Sequence, residues 1–280
     1  MAAIAATALP LARDSRTALR RRVLSALMLA PVALFAVWLG GPVLSAVTAL
    51  AGALMAWEWA RLCGRGRLGT RGIIAIVAIV AATAVATGGA PIAALGLILA
   101  ATGLVVFLGS RSFETVIAAF GLVWIGIPCI ALVWLSQDAT AGRATVFWIL
   151  AVVWATDIGA YGFGRTLGGP RLAPRASPNK TWSGLLGGIL CASVAGTLAA
   201  VAFGAALSPM LPALSALLAI IAQSGDLAES MMKRHFGVKD SSNLIPGHGG
   251  LLDRLDGLLT VIPTVAFLSI LAGGSMMTWR

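Results

Sequence analysis

Long apolar runs separated by short polar segments make up nearly the whole chain. Nine runs stand out, at about 23–39, 43–60, 72–88, 92–109, 114–136, 145–163, 183–207, 212–234 and 255–273. Each approaches the roughly 20 residues that carry a helix across a bilayer core. They are rich in Ala, Leu, Val, Ile and Gly and lack the alternation of a membrane β-strand. The pattern predicts an all-α, polytopic integral membrane protein with about nine transmembrane helices. Pro128 and Pro263 fall inside runs, where neighbouring helices can satisfy the freed backbone groups. Gly184, Gly187, Gly188 and Gly196 suit close helix packing.

Composition excludes the alternatives. Of 280 residues 59% are hydrophobic and 11% charged, against about 25% charged in an ordinary soluble domain. Mean hydropathy is +0.95. Neither a disordered chain nor a soluble globule fits these values. The net charge of +10 would suggest nucleic acid in a soluble protein, but its distribution gives it another meaning. If the runs alternate direction, 18 of the 20 Lys and Arg fall on one side, and only Arg143 and Arg280 on the other. That asymmetry marks the cytoplasmic side. It predicts a cytoplasmic N-terminus, a location in the cell's inner or plasma membrane, and no nucleic-acid partner. Residues 1–22, with Arg13, Arg16, Arg20, Arg21 and Arg22, read as a cytoplasmic tail rather than a signal peptide. Residues 23–280 read as one transmembrane catalytic domain. Cys63, Cys129 and Cys191 have no metal-ligand spacing and suggest no disulfide framework.

The ten acids are more informative than the bases, since five of them lie within 226–256. Polar groups gather in two predicted cytoplasmic stretches, 157–184 and 223–257, and charges at a membrane edge default to function. Asp226, Glu229, Ser230 and Lys233 are spaced to share one helical face. Asp253 and Asp256 share a face where the last helix begins. The two acid pairs suit a hard divalent cation, which takes oxygen ligands and substrate phosphates. The Lys and Arg among them suit phosphate oxygens. Gly247, Gly249 and Gly250 lead into a helix N-terminus, a ready anion site. The plainer alternative makes Asp253 and Asp256 dipole-favoured helix-start acids. In the earlier stretch Asp157 sits near a helix end, Ser177-Pro178-Asn179 reads as a turn, and Lys180 and Thr181 offer donors to a phosphate. Trp57, Trp59, Trp182 and Trp279 read as interfacial residues. Glu58, between two tryptophans, reads as a helix-end acid. His235 points away from Asp226.

The run Ser230-Met-Met-Lys233-Arg234, Lys239-Asp240, Ile245-Pro246-Gly247-His248-Gly249-Gly250 and Asp253-Arg254-Leu255-Asp256 resembles the signature of the phosphatidate cytidylyltransferases (CDP-diacylglycerol synthases). Asp157, Ala160-Tyr161, Gly164-Arg165 and Ser177-Pro178-Asn179-Lys180-Thr181-Trp182 are also similar to segments of that family. Asn179, Ser183 and Gly257 depart from its common pattern. The resemblance implies transfer of CMP from CTP to phosphatidic acid in a lipid bilayer, with Mg²⁺ and room for a second cation, and leaves a homodimer open. It implies Asp226, Glu229, Asp253 and Asp256 at the metal, with Asp226, Lys233, Lys239, Asp253 and Asp256 central to the chemistry. Ser177, Lys180, Thr181, Ser230, Arg234, His248, Gly249, Gly250 and Arg254 would bind substrate; His248 would give a phosphate donor or stabilise its turn. An Asp-rich lipid transferase, a transporter and a scaffold are the rival classes. The Gly-His-Gly-Gly segment, the location of the acids at a membrane face, and their clustering argue against each in turn.

Overall fold

The computed structural model describes residues 30–245 and 249–275. The arginine-rich tail, Pro246, Gly247, His248, Trp279 and Arg280 lie outside the described residues. The helices are α1 (Ala30–Leu39), α2 (Gly41–Cys63), α3 (Thr70–Thr87), α4 (Pro91–Phe107), α5 (Phe113–Ser136), α6 (Gly142–Leu167), α7 (Trp182–Ala202), α8 (Met210–His235) and α9 (Leu252–Leu271). Every apolar run overlaps one of them. Seven are at least 18 residues long and apolar enough to cross a membrane; α4 and the described part of α1 are shorter. The chain is a polytopic, helical membrane protein.

Successive helices pack antiparallel through short connections, so the helix ends form two faces. The connections α2–α3, α4–α5, α6–α7 and α8–α9 lie on one of them. Of the fourteen Lys and Arg among the described residues, thirteen are on this face and only Arg143 is on the other. On that opposite face, Asp138 organises the turn into α6. Its Oδ1 accepts from the Thr140 hydroxyl at 2.7 Å, the Thr140 amide at 2.9 Å and the Ala141 amide at 3.0 Å. The Thr140 hydroxyl above all holds its carboxyl below the usual range.

One element departs from the all-α expectation. Residues Arg171–Ala173 (β1) and Ser177–Thr181 (β2) form an antiparallel hairpin on the basic face, with Arg171 opposite Thr181 and Ala173 opposite Ser177. Ser177-Pro178-Asn179 is therefore strand, and the turn is Pro174-Arg175-Ala176. A two-stranded hairpin tolerates Pro178 because each strand has a free edge that needs no N–H. The Thr181 hydroxyl then accepts the Gly184 amide at 3.1 Å and caps α7.

Helix α5 runs through the middle, with Ile125 and Val133 fully buried. It divides an apolar core shared with α2, α3 and α4 from one built on α6, α8 and α9. Hydroxyls inside the helices donate to their own carbonyls four residues back, as Thr48, Thr83, Thr156 and Ser215 do, so no polar hydrogen of these four faces hydrocarbon. The closest approach is α6 against α7. A Cβ at Gly188 would lie 2.9 Å from the Thr156 carbonyl oxygen, and one at Gly184 would lie 2.8 Å from that of Ala160. This contact locks the hairpin to the end of α6.

Gly188→Val should therefore separate α6 and α7 and cost about 1–3 kcal/mol, read as a lower thermal-unfolding midpoint in detergent. Gly103→Ala in α4, where an added Cβ meets nothing within 4 Å, should leave the midpoint unchanged or raise it.

Candidate active site on the basic face

Four elements converge on the basic face: the end of α6, strand β2, the end of α8 and the start of α9. The predicted face of α8 resolves into two side-by-side pairs at i,i+4 spacing. Ser230 donates to Asp226 at 3.3 Å, and Lys233 pairs with Glu229 at 3.2 Å. Each pair reaches a different partner across the site.

Asp226 pairs with Lys180 of β2 at 2.6 Å, tying the hairpin to α8. Asp157 of α6, exposed at the surface, lies in the field of Asp226, Lys180 and Arg254. Asp256, half-buried on α9, lies in the field of Asp226, Glu229 and Asp157. Its Oδ1 accepts the Gly257 amide at 2.7 Å.

Lys233 occupies the other side. Its ammonium lies 2.5 Å from Asp253 Oδ1 as well as beside Glu229, and all three side chains are nearly closed to solvent. Glu229 Oε2 is buried and has no hydrogen-bond partner among the described residues. Close packing makes the bridge between α8 and α9 possible. A Cβ at Gly225 would lie 2.5 Å from the Thr260 hydroxyl and 3.0 Å from the Asp256 carbonyl oxygen.

The cluster thus holds five carboxylates (Asp157, Asp226, Glu229, Asp253, Asp256) and three cations (Lys180, Lys233, Arg254). Counted as fully ionised, the five acids outnumber the three cations by two. Among the described residues no three of His, Cys, Asp and Glu already stand at metal-ligand spacing. The donor set suits a cation that takes one or two carboxylates and draws its other oxygens from phosphates or water, as Mg²⁺ does. The unpartnered Glu229 oxygen and the uncompensated charge beside Asp256 fit such an ion.

The remaining predicted residues are placed differently. Arg234 donates to the Ala176 carbonyl at 3.4 Å and the Val238 carbonyl at 3.3 Å, tying the hairpin turn to the end of α8. Thr181 is engaged as the α7 cap. Ser177 begins β2, half-buried. Lys239 is exposed on the loop after α8. His235 meets Phe113 and Phe236 edge-on at 5.2 and 5.1 Å. It faces a cleft of about 890 Å³ that is also lined by Trp57, Arg61, Arg65 and Ser241–Leu244.

The start of α9 is an anion site, and the anions it holds are the protein's own. Asp253 Oδ2 accepts the Gly250 amide at 2.7 Å, the Ser241 amide at 2.9 Å and the Ser241 hydroxyl at 3.1 Å. Glu58, fully buried on α2, accepts the Leu251 amide at 2.9 Å and the Leu252 amide at 2.7 Å. It also takes the Ser242 hydroxyl at 2.6 Å and the Ser241 hydroxyl at 3.3 Å. The two glycines make room for these carboxylates. A Cβ at Gly249 (φ +83°) would lie 2.7 Å from Asp253 Oδ2, and one at Gly250 would collide with the Ser241 hydroxyl and lie 2.6 Å from Glu58 Oε1. Sequence reasoning treated Glu58 as a helix-end acid. The available signal was a glutamate inside an otherwise uncharged apolar run.

Removing the shared cation should leave Glu229 and Asp253 buried together. Lys233→Met is expected to cost about 3–5 kcal/mol. A second change, Glu229→Gln, should recover part of the loss in thermal-unfolding midpoint.

A model of the cytidylyltransferase family matches residues 20–271. A protein of Brucella suis named phosphatidate cytidylyltransferase is 39% identical over 252 residues, covering 86% of this chain and 89% of its own. One of the same name from Pseudomonas aeruginosa is 38% identical over 282 residues, covering 91% of this chain and 98% of its own. A Staphylococcus saprophyticus protein of that name is 41% identical over 165 residues, covering 58% of this chain and 63% of its own. With its helical membrane architecture and acid-rich site in place, and matched over nearly its whole length, the chain belongs to the cytidylyltransferase family.

Proposed function

We propose that the chain transfers CMP from CTP to phosphatidic acid, giving CDP-diacylglycerol and pyrophosphate, in the cell's inner or plasma membrane. The observation that carries this reading is kinship with phosphatidate cytidylyltransferases across 86–91% of the chain. The gathering of carboxylates and cations on one face supports it. We also assign the basic face to the cytoplasm, with nine spans and a cytoplasmic N-terminus, because thirteen of fourteen described Lys and Arg lie there. Residues 1–22 form the tail and 23–280 the catalytic domain, with its site in 157–184 and 223–257.

The chemistry asks little covalent work of the protein. An oxygen of the phosphatidate phosphate, already ionised, bonds to the α-phosphorus of CTP. The bond from that phosphorus to the oxygen bridging the β-phosphate breaks, and pyrophosphate leaves with its electrons. No strong base is needed, so rate comes from alignment and charge neutralisation. Lys180, Lys233, Arg234, Lys239 and Arg254 supply positive charge for phosphate oxygens, and Ser177 and Ser230 supply hydroxyls. In this reading Lys180 exchanges its Asp226 partner for a phosphate. Asp226, Glu229, Asp253 and Asp256 would hold Mg²⁺, with room for a second cation. When bound, the ion would offset the phosphates' negative charge. Asp253 has a second task, since its ion pair sets the position of Lys233. Thr181, Gly249 and Gly250 shape the backbone around the substrates.

Purified protein in mixed micelles with labelled CTP, phosphatidic acid and Mg²⁺ should form lipid-linked CMP. A folded sample that makes none overturns the reading. In that assay Asp253→Asn should abolish turnover with near-normal expression, and Asp226→Asn should raise the Mg²⁺ needed for half-maximal rate by about tenfold or more. Retention of most wild-type activity by Asp253→Asn would remove it from the site. In a cysteine-free background, Lys239→Cys should react with impermeant reagents only from the cytoplasmic side; labelling from outside would reverse the orientation.

A further inference from the structure

We propose that Glu58 is a positioning residue for this reaction, acting through the start of α9 on Asp253 and thence on Lys233. The proposal rests on the cytidylyl-transfer reading above and assigns a residue that reading does not use. Glu58 is fully buried on α2, 183 residues or more from its partners in sequence. Among the described residues no Lys, Arg or His lies within ion-pair distance of it. Among the described residues its charge is met by two hydroxyls and two backbone amides, the amides at the positive end of a helix. A buried anion without a counter-cation is a costly way to stabilise a fold. What it supplies here is placement, in three ways.

Glu58 fixes the amides of Leu251 and Leu252, so the first turn of α9 cannot rotate away from α2. Asp253 is the next residue. Glu58 also shares the Ser241 hydroxyl with Asp253, at 3.3 and 3.1 Å. The same serine donates its amide to Asp253 at 2.9 Å. Finally, Glu58 Oε1 and the Ser241 hydroxyl together fill the space a Cβ would take at Gly250, whose own amide goes to Asp253 at 2.7 Å. Asp253 is thereby held from three directions while its other oxygen takes Lys233 at 2.5 Å. A displaced Glu58 would release the aspartate and, with it, the ammonium that meets phosphate.

The test uses the full chain in mixed micelles. Glu58→Gln puts an amide donor where an oxygen now accepts, against Ser242 and Leu251 or against Ser241 and Leu252. Its kcat per folded molecule should fall about 10- to 100-fold, with KM for CTP within about threefold. Hydrogen exchange at Gly250, Leu251 and Leu252 should quicken while the interior of α9 stays protected. A lower unfolding midpoint with near-wild-type kcat per folded molecule would make Glu58 merely structural and overturn the proposal, as would unchanged exchange. If Glu58→Gln does not fold, Ser242→Ala decides, since it removes the 2.6 Å bond to Glu58 and, besides that, only the bond its hydroxyl accepts from the exposed Leu244 amide at 3.0 Å: a several-fold lower kcat and faster exchange at Leu251 and Leu252 support the proposal, and wild-type values of both overturn it. Wild-type protein that makes no lipid-linked CMP would sink the cytidylyl-transfer reading. The exchange experiment would still decide whether Glu58 holds the segment.

Discussion

Lys233 sits where two helices bring buried acids together, and most of the site's geometry follows from that one ammonium. Glu229 reaches it from the same helix and Asp253 from the next. Away from water, two such carboxylates repel strongly, and a single cation between them turns the repulsion into a tie. The tie needs α8 and α9 in near contact. Gly225 permits it by admitting Thr260 and the Asp256 carbonyl where a side chain would stand. Asp253, once fixed, organises Ser241 and Gly250, and these in turn meet Glu58. A chain of contacts so leads from the basic face back to α2.

The rest of the cluster is under-compensated by comparison. Lys180 answers Asp226, but Asp256 is flanked mainly by like charge and one Glu229 oxygen has no partner among the described residues. Each lysine thus ties two elements, Lys180 joining β2 to α8 and Lys233 joining α8 to α9, while Asp256 stands among the acids without such a tie in the described ion pairs.

The spans were legible because hydropathy over about 20 residues is a strong, local signal. The pairing of Asp226 with Ser230 and of Glu229 with Lys233 was legible because helical spacing is local too. The hairpin was not. Its strands are short and polar, and the proline in β2 reads as a turn in any local window. Lys180 meeting Asp226 was out of reach for a different reason: the two meet only once α7 and α8 have folded back on α6. Glu58 was the hardest case. Its neighbours in sequence are two tryptophans, and nothing near it discloses four donors nearly two hundred positions downstream. The glycines of the signature were noticed, but the internal acids beside Gly249 and Gly250 were not. They appeared to expose backbone amides to a ligand, whereas the Gly250, Leu251 and Leu252 amides are already given to acids of the chain.

Gly250 carries a consequence for how such sequences diverge. Its missing side chain is the imprint of two groups, the Ser241 hydroxyl and Glu58 Oε1, the latter 2.6 Å from where a Cβ would stand. Positions 58, 241 and 250 are therefore not free to drift separately. Any relative that acquires a side chain at 250 must move the serine at 241 as well as the acid at 58, and losing the acid alone leaves the serine still demanding glycine. Across the family, an apparently local loop motif should keep the memory of a residue on a distant helix, as linked change at 58, 241 and 250.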